Sequence, residues 1–453
     1  MSASSTLNFE EAPFSPIHRK IAAGSFMGLV SDGYILGIVG ISLSYAATPL
    51  GLSSFWMGLI GAASMFGIFF GSLVTGSLTD RFGRRPLYCL FMLLTVLVSI
   101  WQYFISDPLL LTIARFLLGM LVGSDYTVGI AMLSEWAPAK KRGGILAWLL
   151  SFWTIGYCVA YAVGFFMDPV VAAFGDDGWR IVICTSAIPG IITLAIRLGA
   201  PETPLWLITK GRSAEALAHV HKYLGTQYGL PPASTEEAIK TSWFDLFGPN
   251  QWRKTVVSGV FFCAQVLPFF AISIFLPLVL TKLNIQNPNA SGVLYNAFTL
   301  IGVFVGMWLF QIWTRRFFLI STFYASAVLL AVMIVWTSMP PVLALVMVTA
   351  FALVMAISIV PEFSYPAELF PTELRGRGVG LTIAISRFGA GGGTFLLPIL
   401  SEKFGIHVAL WVCVGTLILG GIICQLWAPE TSLRAAPRQS GGTSAGQPGL
   451  NNA

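Results

Sequence analysis

The chain has 453 residues, of which 56% are hydrophobic and only 10% are charged, with a formal net charge of +6 at pH 7. Soluble domains carry roughly 25% charged residues, so a water-filled surroundings is excluded. The basic residues stand in short loops between apolar runs, not on one soluble face, which excludes nucleic acid as a partner. Residues 1–20 are polar, with Glu10, Glu11 and Pro13, and lack the charged-then-apolar order of a cleaved signal. They predict a cytoplasmic segment ahead of a first span that stays in the membrane. At about 20 apolar residues per crossing, twelve spans follow, at 22–48, 55–79, 86–105, 108–133, 143–167, 179–200, 253–281, 291–314, 317–338, 342–365, 377–400 and 405–428. The stretch 201–252 is the one long polar interruption, a linker with helix-like character around 214–223. Residues 431–453, rich in Gly, Ser, Pro and Ala, predict a disordered cytoplasmic tail. Two six-helix bundles are therefore expected, over 21–200 and 253–430.

Orientation follows from the basic residues. Of 26 Lys and Arg, only Arg180, Lys282 and Lys403 fall in loops on one side, and Arg115 and Arg387 fall inside spans. The remaining 21, Arg197 among them, lie on the other side, which predicts that both termini are cytoplasmic. The six cysteines all lie in apolar runs without a CxxC pair and are expected to be packing residues.

Three sequence pieces recur about 230 residues apart, in the same order. Glu135-Trp-Ala-Pro138-Ala-Lys-Lys-Arg142-Gly143 returns as Glu368-Leu-Phe-Pro371-Thr-Glu-Leu-Arg375-Gly376. Arg84-Arg85 returns as Arg315-Arg316, and Pro201-Glu202-Thr203 as Pro429-Glu430-Thr431. The repeat predicts two halves in parallel orientation, the organisation of a transporter whose site lies at their interface. Asp80 can bond Arg84 and the neighbouring helix ends that carry Glu135 and Arg142, and Glu368 with Arg375 can do the same in the second half. Such pairs would close the cytoplasmic side in one conformation and part in the other.

Gly76-Ser-Leu-Thr-Asp80-Arg81-Phe-Gly83-Arg84-Arg85 resembles the signature loop of the major facilitator superfamily. Pro201-Glu-Thr-Pro-Leu-Trp-Leu207 and Pro366-Ala-Glu-Leu-Phe-Pro-Thr-Glu-Leu-Arg375 are similar to sugar-porter signatures. Arg115-Phe-Leu-Leu-Gly-Met-Leu-Val-Gly-Ser-Asp125-Tyr126 and Asp32-Gly33-Tyr34 look like those of bacterial metabolite:proton and phosphate:proton symporters. The resemblance, from about Ile21 to Glu430, implies an all-α integral membrane protein with the major facilitator fold, twelve transmembrane helices in two six-helix parallel-repeat bundles. It also implies a cytoplasmic gate that includes Asp80, Arg81, Gly83, Arg84 and Arg85.

A charge at mid-span costs about 2.5–3.5 kcal/mol on insertion scales, so each one calls for a partner or a watered path. Asp32, Arg115, Asp125, Glu362 and Arg387 are such charges. Asp32 is the expected proton carrier, with Arg115 as its switching partner and Asp125 as a second proton site or a substrate contact. Arg387 presents a fork suited to a carboxylate or phosphate and is the first candidate for an anionic substrate, with Glu362 of the adjacent span as the competing partner. Pro361 and Pro366 bracket Glu362, and prolines there break helical hydrogen bonding. Tyr34, Tyr126, Gln265 and Phe363 complete the expected substrate path.

Departures narrow the substrate. Span seven reads Val260-Phe-Phe-Cys-Ala-Gln265-Val-Leu-Pro268, without the paired-Gln motif of sugar porters or the aspartate of phosphate symporters, and Phe363 stands where sugar porters carry Trp. No GxxxxGK[ST] loop is present for ATP. The expected function is proton-coupled symport of a small organic solute, leaning to a carboxylate-bearing metabolite, across a bacterial-type inner membrane. A sugar or polyol transporter, an antiporter of amphipathic compounds and, remotely, a membrane enzyme remain as alternatives. No cofactor beyond the coupling proton and no metal are expected, and the protein is expected to be monomeric.

Overall fold

Hydrocarbon offers the backbone no water, so apolar runs pair their N–H and C=O groups internally as helices. The computed structural model describes residues 7–231, 242–249, 251–283, 285, 287–362 and 364–431, and twelve helices among them are long and apolar enough to cross a membrane. Spans one to six are Pro16–Ala46, Ser54–Phe82, Arg84–Phe104, Pro108–Trp136, Ala139–Phe166 and Asp168–Arg197. Spans seven to nine are Trp252–Ile274, Ala290–Ile312 and Arg315–Val335. Span ten begins as Pro341–Ile359, and spans eleven and twelve are Leu374–Phe404 and Ile406–Trp427. All twelve expected spans are found. Phe363 and the tail from residue 432 onward lie outside the described residues.

The ends obey local chemistry. Asp107 accepts from the N–H groups of Leu109 and Leu110 ahead of span four, where Pro108 needs no donor partner. Span ten breaks where the prolines predict it, into a 3-10 turn at Val360–Glu362 and a short helix at Ser364–Leu369. Span seven stops at Ile274, and a separate helix, Leu276–Lys282, follows. In the linker, Ser213–Tyr223 is helical, and the two-residue strand Tyr228–Gly229 pairs in parallel with Leu7–Asn8. That strand pair ties the N-terminal segment to the linker, and the sequence gives no sign of it.

The packing carries the repeat. Span one packs on five, two on four and three on six; six spans later, seven packs on eleven, eight on ten and nine on twelve. Between the halves, two meets eleven and five meets eight, which are counterparts under the repeat, and one meets seven. Call the end that carries Arg84, Lys140 and Arg315 the basic end. At the opposite end the halves touch: Phe55 of span two meets Phe395 of span eleven edge-on, and the Tyr161 hydroxyl of span five donates to the Ser273 carbonyl of span seven. Four residues beyond Ser273 stands Pro277, which has no N–H to offer that carbonyl, so Tyr161 supplies the missing donor across the seam.

Tyr161→Phe removes this donor and leaves the Ser273 carbonyl unpaired, a loss of about 1 kcal/mol. The far end is then expected to open about fivefold more often, read as faster thiol labelling of Ile41→Cys, which lines the crevice beside Tyr161. An unchanged labelling rate would show that this bond does not hold the halves together.

Candidate functional site

Asp32 lies on span one, wholly buried, and neither carboxylate oxygen has a hydrogen-bond partner. The charges within its electrostatic reach are Asp125 and Arg197. The expected Asp32–Arg115 pair does not form. Arg115 is as deeply buried, but its Nη2 donates to the Ile35 carbonyl at 3.0 Å, and its Nε and Nη1 have no partner. The reason is depth. Spans one and four run antiparallel, so Arg115 meets span one beyond Asp32. Asp125, ten residues further along span four and about 15 Å nearer the basic end, comes level with Gly28.

Asp125 is not a free second carboxylate either. Arg197, at the end of span six, grips it with two hydrogen bonds, Nη1 to Oδ1 and Nη2 to Oδ2, the latter at 2.8 Å. Arg197 is only 1% exposed, so it is no loop residue, contrary to the count by loops. Its Nε donates to the Gly24 carbonyl at 3.1 Å and its Nη1 to the Tyr88 carbonyl at 2.9 Å, and the guanidinium lies 3.8 Å from the centre of the Tyr88 ring. A bidentate, ring-stacked geometry of this kind is what only Arg supplies. Gly28 makes room for it: a Cβ there would strike both Arg197 Nη2 and Asp125 Oδ2. Sequence reasoning missed Arg197 because a basic residue at a helix end reads as an anchor, and nothing in its neighbours says that the side chain turns inward.

Tyr34 leaves the expected substrate path. Its hydroxyl donates to Thr185 Oγ1 of span six at 2.8 Å, because two residues turn a helix by about 200° and carry Tyr34 away from the Asp32 face. Tyr126 stays central, half-buried and within electrostatic reach of both Asp32 in its own half and Arg387 in the other. A narrow crevice lined by Ser25, Leu29, Asp125, Tyr126 and Leu149 lies beside the Asp125 carboxylate.

In the second half, Gly389 packs on Cys263 and Gly393 on Leu267, so spans seven and eleven run side by side. This register sets Arg387 about one turn nearer the basic end than Gln265. Both amide atoms of Gln265 are buried without a partner. Arg387 is 6% exposed, and its Nε is unpartnered. Glu362, in the turn of span ten, is 7% exposed and within electrostatic reach of Arg387. Among the described residues the two form no ion pair, so the competing Arg387–Glu362 bridge is not made.

At the basic end the three repeated sequence pieces converge. Arg84 bonds Glu135 at 3.1 Å, Asp80 at 3.2 Å and the Thr79 carbonyl at 2.9 Å. Glu202 accepts from the backbone N–H groups of Arg84 and Arg85, the first at 3.0 Å, capping span three. Gly83 allows this, with φ at +96° and no Cβ to meet the Glu202 carboxylate. The second half repeats the device: Arg315 bonds Glu368 and the Phe310 carbonyl, and Glu430 accepts from the N–H groups of Arg315 and Arg316. Arg142 and Arg375 do not join. Arg142 pairs with Glu10 of the N-terminal segment at 2.6 Å, and Arg375 is exposed, as is Arg81. Each ion pair described here stays within one half. The sequence pattern found the Pro-Glu-Thr repeat, but not that its Glu is a helix cap.

Residues 19–438 match the family described as Sugar (and other) transporter. The inner membrane metabolite transport protein YgcS of Escherichia coli (strain K12) is 33% identical, over 98% of this chain and 98% of its own length. Among solved structures, the partially occluded inward open conformation of the xylose transporter XylE from E. coli superposes with a TM-score of 0.76 at 17% identity, covering 92% of this chain and 99% of that one. A structure of a D-xylose-proton symporter reaches 0.75 at 17% identity, covering 91% and 98%. The shared fold is that of the major facilitator superfamily, all-α with two six-span repeats.

Gly28→Val drives a side chain into the Asp125–Arg197 pair and is expected to cost about 1–3 kcal/mol, seen as a lowered thermal midpoint of the purified protein. Gly415→Val, at a site with no atoms within 4 Å of a Cβ, serves as the neutral comparison.

Proposed function

We propose that this chain, which belongs to the family of sugar (and other) transporters, takes up a small carboxylate-bearing metabolite together with protons. It is a multi-pass membrane transporter of small molecules, not an enzyme. The observation that carries the carboxylate reading is Arg387. A guanidinium held mid-span with a free Nε and no carboxylate paired to it among the described residues retains the fork that a substrate carboxylate would fill. Gln265, one turn away, adds an unpartnered donor and acceptor for a second polar group of the solute. Glu362 bears on Arg387 from across the site and disfavours a second anion at the same place.

The coupling proton is assigned to Asp32, whose buried oxygens have no other partner. The basic end is assigned to the cytoplasm by its excess of Lys and Arg, which puts both termini inside, in the inner membrane, on a monomer. The two halves then rock about the seam. With the far ends touching, the conformation described here is the cytoplasm-facing one, in keeping with the inward open XylE structure that it resembles. A neutral sugar or polyol is the second reading, favoured by the family and by the amide of Gln265.

Uptake into proteoliposomes, measured over a panel of labelled carboxylic acids and sugars with and without an imposed pH gradient, decides between them. Acids are expected to accumulate, and only with the gradient. Arg387→Gln removes a charge-assisted hydrogen bond of about 1.5–3 kcal/mol and is expected to weaken the apparent affinity for the acid at least tenfold. Accumulation of sugars alone, unaffected by this substitution, would sink the carboxylate reading. Asp32→Asn is expected to abolish gradient-driven accumulation while sparing exchange of labelled for unlabelled solute; retained accumulation would remove Asp32 from coupling.

A further inference from the structure

We propose that Arg197 is a mobile counter-charge shared by Asp125 and Asp32, a positioning residue whose exchange between the two carboxylates moves the seat of one proton from Asp32 to Asp125. This rests on the proton-coupled reading above and names the device inside it. Two carboxylates and one guanidinium meet where each is at most 2% exposed, and an uncompensated buried ion costs several kcal/mol. Such a set is neutral when it holds one proton, and the proton belongs on whichever carboxylate the guanidinium leaves alone. In this structure the guanidinium is on Asp125, and the carboxylate without a partner is Asp32.

Geometry supplies the second state. Asp32 stands one turn along span one from Gly28, about 6 Å in rise, and Gly28 is where the guanidinium crosses that helix. Gly24 and Gly28 present bare backbone along the crossing, and the Tyr88 ring beneath gives the cation a flat face to slide on. When Arg197 swings to Asp32, the O–H bond on Asp32 breaks and one forms on Asp125, with no change in net charge. Asp125, unlike Asp32, lines the narrow crevice with Ser25, Leu29, Tyr126 and Leu149.

The groups that face the set are Tyr88 and Cys89 of span three and Tyr126 of span four; Lys20 of span one and Arg85 at the basic end act on Cys89 from behind it. Arg115 is turned to the Ile35 carbonyl, and Arg387 acts on Tyr126 from the second half. Arg197 thus acts on both carboxylates.

Infrared spectroscopy of the full chain reconstituted in liposomes at pH 7, without substrate, tests the assignment through the carboxylic-acid C=O band. The wild-type protein is expected to show an acid band that Asp32→Asn removes. Asp125→Asn is expected to remove the same band although Asp32 is untouched, because Arg197 then passes to Asp32. Arg197→Gln is expected to add a second acid band, and Arg197→Lys to restore the single one. Persistence of the Asp32 band in Asp125→Asn, an unchanged spectrum in Arg197→Gln, or a wild-type protein with no band assignable to Asp32 would each overturn the proposal. Should Arg197→Gln fail to purify, the pair Asp125→Asn and Arg197→Lys decides alone, since a merely structural Arg197 leaves the Asp32 band in place in Asp125→Asn. The spectrum reads where the proton sits without any transport. The expected bands together with uptake that ignores the pH gradient would therefore defeat the coupling reading and leave this one standing.

Discussion

A charge in hydrocarbon must be met by protein, since no water is there to meet it. Most features of this molecule follow from how far that demand is fulfilled. The Asp125–Arg197 pair fulfils it: two parallel hydrogen bonds between the ions, two further carbonyl acceptors and an aromatic face under the guanidinium. Removing one partner of such a pair costs about 3–5 kcal/mol because the other charge is left behind. In this conformation the pair sets the mutual placement of spans four and six, and through Gly24 and Tyr88 draws spans one and three to the same point. Asp32, Gln265 and Arg387 do not fulfil the demand. Groups left unsatisfied in a membrane interior stand out as places where something else is meant to bind.

The same economy governs the basic end. Each half gathers an Arg, a Glu from the following span and a capping Glu just past its sixth span into one cluster, and Arg84 and Arg315 share three bonds: Nε to that Glu, Nη1 to the carbonyl five residues back, and the backbone N–H to the capping Glu. Since the capping carboxylates meet backbone N–H groups at a helix start, they satisfy donors that the helix itself cannot. This makes each half stiff at the end where it carries most charge. Stiff halves that share few bonds across the seam are what a rocking motion needs.

Much of this was legible in the sequence, and the limits have physical causes. Span count and parallel repeat came through because hydropathy and motif order are one-dimensional properties, and the break in span ten came through because Pro361 and Pro366 act on their own backbone. The cluster members Arg84, Glu135 and Glu368 could be named for the same reason. Partners could not. Whether Asp32 faces Arg115 or Arg197 depends on the relative depth of antiparallel helices, and a shift of one or two turns exchanges one cation for the other. Tyr34 was misplaced by helical phase, since it is two residues from Asp32 and so on another face. Arg142 was misassigned because its partner, Glu10, lies in a segment that only the small strand pair with Tyr228–Gly229 brings near.

The division of labour between the halves follows from these placements. The two carboxylates proposed to handle the proton, and the cation between them, all belong to spans one, four and six. The groups proposed to meet the solute, Gln265, Glu362 and Arg387, belong to spans seven, ten and eleven. Tyr126 is within reach of both sets. A field that acts across the seam depends on the distance between the halves, and rigid-body rocking changes that distance. An anion at Arg387, as proposed, would offset a positive charge that bears on Tyr126, with less effect once the halves part. Under the proposed coupling, proton and solute need not touch. It is enough that each changes the charge that the other's half presents to the seam.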